Sequence, residues 1–438
     1  MSLLRKALLV NTAEFICLVL GIAQTVLLAR ILGPAGVGQY AVVIAAMAVA
    51  AQLFSLGLPI SCLYFAQREP EARQDYLMST VWAITVLSVI GGCILTVIVW
   101  AIPTYFGGLR WYAYAAVLLY LPLVLLRVVT RNTLLIAIEA RRLSVMAVAS
   151  MLGGVVLILV LVLVGWFGVD QAIMCFVLAV VVGLVLGIHW TRRHWDFSVR
   201  PQWSVFGRLL RMGIRQSWAD LMVLVNAQLS VMLIKLLLDD FDSVGYFDRG
   251  QRVALLVVTA GQAVLPLLFS RWASLSENEI AAHVERVMRF VSTCGLLAIT
   301  GILITGKWVI LIMYGREFLP AVVPMMILVP GAVLYLLSRT LMQLLGSRGV
   351  PELAAAGLMI SSAANAVLTW ALISRMDIAG AAWASVAANL VLLGFILMII
   401  RRRFGVRVTR CWFMSRRDVA GIRTALLSKR RADVSGAS

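Results

Sequence analysis

The chain has 438 residues, 62% hydrophobic and only 13% charged, against roughly one quarter charged in an ordinary soluble domain. The excess apolar surface must face lipid, where backbone polar groups have to be satisfied internally. The apolar runs are continuous and not alternating, which excludes a transmembrane barrel and leaves helices. The net charge of +18 reads as positive charge gathered on cytoplasmic loops and not as a nucleic-acid footprint.

In chain order, membrane spans are expected near 7–30, 39–66, 77–102, 112–137, 143–166, 170–190, 213–237, 244–270, 287–311, 321–345, 353–374 and 378–400. The first is too long and too studded with polar residues for a cleaved signal peptide, so it counts as a span. Tryptophans 100, 111, 166, 190, 218, 272, 308 and 370 fall near span ends, as in interfacial belts. With the N-terminus inside and strict alternation, 27 Lys and Arg residues fall on inner segments and 5 on outer ones. That asymmetry puts both termini in the cytoplasm.

Residues 191–216 divide the chain. They hold Pro201 and end in an amphipathic stretch with Arg208, Arg211 and Arg215 on one helical face and Phe206, Leu209 and Leu210 on another, a pattern suited to a membrane surface. The halves resemble each other. At an offset of 207, Val37-Gly38 meets Val244-Gly245 and Pro59 meets Pro266. At 208, Phe106-Gly107 meets Tyr314-Gly315, Pro122 meets Pro330, and Arg131 meets Arg339. The expected fold is therefore all-α, a polytopic membrane protein of about 12 helices in two six-helix lobes related by a parallel repeat, with the substrate path between lobes. The expected divisions are an N-terminal lobe at 1–190, a cytoplasmic linker at 191–212, a C-terminal lobe at 213–401 and a basic tail at 402–438. That tail, with Arg401-Arg402-Arg403 and Lys429-Arg430-Arg431, is expected to meet anionic lipid.

Charges inside spans are costly and tend to mark function. Arg127 and Arg131 lie four apart, with Tyr120 on the same face of the fourth span; Tyr335, Arg339 and Gln343 make a similar stripe in the tenth. A guanidinium is always charged and forks onto phosphate oxygens, so the repeat-related Arg131 and Arg339 are the leading candidates for a phosphate or pyrophosphate. Snorkelling or pairing with a buried acid is the structural alternative. In the seventh span Ser217, Asp220, Gln228 and Lys235 share a stripe; Asp220 could pair with an arginine, bind a coupling ion or carry a proton. Glu14 is a second proton or ion candidate. Asp248 and Arg252 read as an i,i+4 pair, leaving Arg249 more available. Nothing suggests a Walker lysine, paired catalytic carboxylates, a nucleophile elbow, a metal motif or a cofactor. No two of the six cysteines form a CxxC.

The run Ala29-Arg30-Ile31-Leu32-Gly33-Pro34 with Gly38 and Tyr40 resembles the first-loop signature of the polysaccharide transporter (O-antigen flippase) family, within the multidrug/oligosaccharidyl-lipid/polysaccharide exporter superfamily. Val244-Gly245-Tyr246, Tyr314-Gly315 with Phe318, Asn365, and Gly380-Ala381-Ala382 extend the resemblance over nearly the whole chain. It implies a two-lobed bundle that alternates between inward- and outward-open states. It also implies a polyprenyl-pyrophosphate-linked oligosaccharide as substrate, an ion gradient and not ATP as driving force, and a bacterial inner membrane. Polysaccharide polymerase and chain-length proteins would be partners. One departure stands out. Members often carry an Arg-x-Asp-like pair midway along the seventh span, where this chain reads Asn226-Ala227-Gln228-Leu229-Ser230, so any role of that pair does not transfer. The other readings are a multidrug exporter or a peptidoglycan-precursor flippase of the same superfamily, and, from another class, a membrane glycan polymerase or ligase. The arginines argue against the first and the span count against the second. The third usually needs a large external loop, which this chain lacks.

Overall fold

A computed structural model describes residues 3–196, 199, 201–262, 265–407 and 412. In chain order its helices are α1 (Leu3–Ser55), α2 (Leu58–Arg68), α3 (Arg73–Ala101), α4 (Pro103–Phe106), α5 (Trp111–Ile136), α6 (Ala140–Leu163) and α7 (Val169–Thr191). There follow α8 (Trp203–Leu238), α9 (Phe241–Gln262), α10 (Leu265–Ser274), α11 (Glu277–Met313), a 3₁₀ turn (Arg316–Ala321), α12 (Val322–Ser347) and α13 (Pro351–Phe404). No strand occurs among the described residues, and the chain is an all-α, multi-pass membrane protein.

Among the described residues nine helices are long and apolar enough to cross a bilayer. Two of the nine, 47 and 54 residues long, far exceed the roughly 20 residues that one crossing needs. Each is two helices joined across a non-helical residue, Gly33 (φ 66°) in α1 and Asp377 (φ 47°) in α13. The loop expected around Gly33 is thus a single-residue break, with Pro34 resuming the helix at once. The eighth expected span falls on α9 and α10, with residues 263 and 264 between them outside the described residues. Asp242, Asp248, Arg249 and Arg252 give α9 too many charges to stand out by hydropathy.

Contacts divide the chain into two compact units. Residues 1–248 with 311–320 form the first, and residues 249–310 with 321–438 the second. In the first unit α5 is flanked by α3 and α7, α6 lies against α1 and α7, and α8 lies against α1 and α2. Small residues allow these approaches. Leu56 (φ 45°) and Gly57 (φ 67°) turn the chain from α1 into α2. A Cβ on Gly57 would overlap the Gly213 carbonyl, so the backbones of that turn and α8 touch. The amphipathic stretch at 203–216 runs directly into the seventh span as the single helix α8, since no proline interrupts it. Its Leu209 is fully buried and its Arg208, Arg211 and Arg215 are exposed.

In the second unit α12 packs on α13, with Ser361 Oγ donating to the Ala388 carbonyl (2.8 Å) and Asn389 Nδ2 to the Gly331 carbonyl (3.2 Å). Asn365 is buried and accepts from Thr369 (3.2 Å). Most of the expected interfacial tryptophans are exposed, including Trp100, Trp111 and Trp370. Trp272 is the correction: it is fully buried, and its Nε1 donates to His283 Nδ1 (2.9 Å), tying α10 to α11. The basic clusters beyond Arg407 lie outside the described residues.

Candidate functional site

In the first unit, α5 carries Tyr120, Arg127 and Arg131 on one face. Tyr120 is buried and stacked on Phe176 of α7 (centroids 5.7 Å apart). Arg127 is half-buried, within electrostatic reach of Tyr120, Arg131 and Cys17 of α1. A Cβ on Gly183 of α7 would lie 2.8 Å from Arg127 Nε, so the missing side chain at Gly183 is what admits the guanidinium between α5 and α7. Ser150 Oγ of α6 faces the same space and, among the described residues, has no hydrogen-bond partner. One turn further on, Gly187 does the same for Thr130. Arg131 is exposed, and among the described residues its guanidinium makes no hydrogen bond or ion pair. Glu14, also exposed, lies one turn before Cys17 on α1.

In the second unit, α12 carries Tyr335, Arg339 and Gln343, all half-buried, at successive helical turns. Among the described residues Arg339 Nε is buried without a hydrogen-bond partner, and Tyr335 is within electrostatic reach of Arg339. Arg249, on α9 of the same unit, is fully buried. The repeat-related positions thus differ: the Arg131 guanidinium is exposed, whereas Arg339 Nε is buried and, among the described residues, has no hydrogen-bond partner. A buried polar nitrogen left unpaired costs free energy, which a ligand's oxygen could recover.

Lys235 is placed differently. It is 3% exposed, pairs with Asp239 (2.6 Å) and lies 3.8 Å from the Phe241 ring centroid. Its charge is thus already balanced inside the first unit. Asp220 is exposed on α8, while Ser217 of the same stripe is buried and accepts from Gln52 Nε2 (3.2 Å).

A second cluster gathers the loop signatures. Arg30 donates through Nε to the Met313 carbonyl (3.2 Å) and through Nη2 to the Ile312 carbonyl. A Cβ on Gly38 would overlap the Phe241 carbonyl, and one on Gly245 would overlap the Pro34 carbonyl. The two repeat-equivalent glycines thus lock one backbone against the other. Tyr246 and Tyr314 both pack on Phe318, and Gln39 Nε2 reaches the Phe106 carbonyl (3.0 Å). Asp240 caps α9, accepting from the backbone N–H groups of Asp242 (3.2 Å) and Ser243 (2.9 Å).

Sequence reasoning missed the part played by α7. Its signal was the spacing Gly183-Leu184-Val185-Leu186-Gly187, the small-xxx-small pattern that lets helix backbones approach in membranes.

The family model described as "Polysaccharide biosynthesis protein" matches residues 27–323. Among solved structures the chain is similar to the lipid II flippase MurJ in an inward closed conformation, with a TM-score of 0.74 at 12% identity over 90% of this chain and 87% of that one. It is also similar to an inward-facing multidrug resistance MATE family transporter of the MOP superfamily (TM-score 0.70, 15% identity, 88% and 94% covered). A third is a MOP superfamily transporter from Pyrococcus furiosus, described by a binding pocket of reverse polarity (TM-score 0.64, 14% identity, 92% and 95% covered). At these identities the likeness is one of fold. No curated protein matches the sequence.

Proposed function

Because the chain belongs to the polysaccharide biosynthesis protein family, we propose that it is a flippase for polyprenyl-pyrophosphate-linked oligosaccharides. It would carry them from the cytoplasmic to the outer leaflet of a bacterial inner membrane, both termini remaining in the cytoplasm, and so supply O-antigen, exopolysaccharide or capsule assembly. The observation that carries the reading is Arg339, whose Nε is buried without a partner at the repeat position of the unpaired Arg131.

The task is to move a charged, hydrated head group through hydrocarbon while its isoprenoid chain stays in lipid. Desolvation sets that barrier, and fixed cations lower it without being consumed. Arg131 in the first unit and Arg339 in the second each offer the pyrophosphate charge-assisted, forked hydrogen bonds. Arg127 and Arg249 add positive potential, and Tyr120, Tyr335 and Gln343 offer hydrogen bonds to sugar hydroxyls. Asp220 and Glu14 are the carboxylates we assign to a coupling proton or sodium ion. Lys235 is better placed to hold the loop at Asp239 than to meet substrate. A cationic drug as cargo fits this arginine set poorly, and no group here performs bond-making chemistry in the reading.

The test is translocation of a polyprenyl-pyrophosphate oligosaccharide in proteoliposomes. Arg131→Ala combined with Arg339→Ala is expected to lower the rate by at least tenfold with an unchanged melting temperature. Normal transport by this variant would make the pair structural, and no transport by the wild type with several glycans would sink the flippase.

A further inference from the structure

Two apolar grooves lie on repeat-equivalent faces. In the first unit a cavity of about 340 Å³ is walled on α3 by Ser79, Trp82, Ala83, Val86 and Leu87. In the second, a cavity of about 590 Å³ is walled on α11 by Val287, Phe290, Val291, Cys294 and Gly295. Every α3 position maps onto its α11 counterpart at the offset of 208 that also relates Arg131 to Arg339.

The grooves differ in what covers them. Over α3 lies the chain just after the sixth span: Pro201, Gln202, Trp203 and Phe206 complete the wall. The Gln202 N–H donates to Ser79 Oγ (3.3 Å). Arg208 Nη1 pairs with Glu69 Oε2 (3.4 Å), and the Arg208 guanidinium sits 5.3 Å from the Tyr76 ring centroid.

Over α11 the equivalent segment would be the tail after α13. The same offset takes Arg208 to Arg416, Glu69 to Glu277, and Gly213-Ile214-Arg215 to Gly421-Ile422-Arg423. Trp203 maps onto Cys411, beside Trp412 and Phe413; Leu209 maps onto Arg417, so the anchors recur and not every position does. The described chain also leaves α13 toward this face. Val406 is buried, and the Arg407 N–H donates to Glu285 Oε1 (2.9 Å), next to the groove residue Arg286.

We propose that residues 408–423 dock along α11 as residues 201–215 dock along α3. Trp412 and Phe413 cover the groove at Phe290 and Cys294, and Arg416 pairs with Glu277. The tail is then the second copy of the linker, an integral cover for an otherwise open apolar face, in addition to any role at the lipid surface.

Two native cysteines make the test direct. In the full-length chain with Cys17→Ser and Cys93→Ser, a short bismaleimide applied to membranes should join Cys294 to Cys411, read by peptide mass spectrometry. Glu277→Arg and Arg416→Glu should each lower the yield several-fold, and the two together should restore it. A folded chain without the cross-link, or a yield indifferent to both charge reversals, overturns the docking. As a second measurement, Trp412→Ala with Phe413→Ala should speed N-ethylmaleimide alkylation of Cys294 several-fold. An unchanged rate means that lipid or another segment covers the groove, and the proposal fails. Neither readout depends on the substrate.

Discussion

Gly38 and Gly21 stand on either side of the Gly33 break in α1, yet the same substitution should act on them with opposite sign. A Cβ at Gly38 would overlap the Phe241 carbonyl, while one at Gly21 meets nothing within 4 Å. Backbone is hard to displace, so Gly38→Ala is expected to cost about 1–3 kcal/mol as overpacking. Gly21→Ala is expected to be neutral or to stabilise by up to about 1 kcal/mol, through helix propensity alone. Melting temperatures in detergent decide this; equal shifts would show that the Gly38–Gly245 approach does not constrain the fold. Gly183 poses a different case, because the atoms its Cβ would meet belong to Ser150 and Arg127 side chains, which can move. Gly183→Ala should therefore leave the melting temperature within a degree or two while displacing the Arg127 guanidinium. If Arg127 contributes to the substrate path, transport falls several-fold; unchanged transport would remove Arg127 from it.

At the scale of elements, the start of α9 rests on one carboxylate. Burial works to raise the pKa of Asp240. The hydrogen bonds from Ser243 and Asp242, with the Lys235 charge, outweigh it and hold the carboxyl below its ordinary value. A depressed folded-state pKa stabilises the fold above the unfolded carboxylate's pKa, about 3.9, and that contribution is lost as pH falls through the lower folded value. Asp240→Ala should cost about 0.5–2 kcal/mol at neutral pH, the usual loss for an N-cap. The wild-type and variant melting curves should converge as the pH drops below 4; a constant gap would show that the carboxylate's charge plays no part. This cap was not legible in advance, because Asp239, Asp240 and Asp242 look alike in sequence and only the helix start selects among them. Other elements show the same limit. The periodicity of 203–216 correctly separated its apolar and basic faces, but not that it continues into the seventh span as α8. The arginine stripes of α5 and α12 could be read from four-residue spacing, whereas the space for Arg127 depends on α7, which is remote in sequence and carries no charge there.

For the whole molecule, the length and continuity of the apolar runs sufficed for an all-α membrane fold, since they follow from local composition. The crossing count depended on backbone breaks at single residues. At 1.5 Å per residue, the 54 residues of α13 would extend about 80 Å if straight, well over twice the roughly 30 Å hydrocarbon core. The left-handed Asp377 is where that length turns back. Among the described residues the breaks at Gly33 and Asp377 turn nine candidate helices into eleven crossings; in the proposed topology α9 with α10 supplies the twelfth, and the excess of Lys and Arg on one set of loops sets the orientation. A fluorescent protein fused after Ser438 should therefore be bright, and alkaline phosphatase inserted at Asp240 active, because the first reports a cytoplasmic end and the second an external loop. Removing Lys/Arg charge from the inner loops by replacing Arg68, Arg73, Arg141 and Arg142 with glutamine should weaken this preference without abolishing it, since the linker and tail keep most of the positive charge. An active phosphatase at the C-terminus of the unaltered chain would mean an odd number of crossings. That result would overturn the parallel two-lobe topology on which the proposed pairing of Arg131 with Arg339 rests.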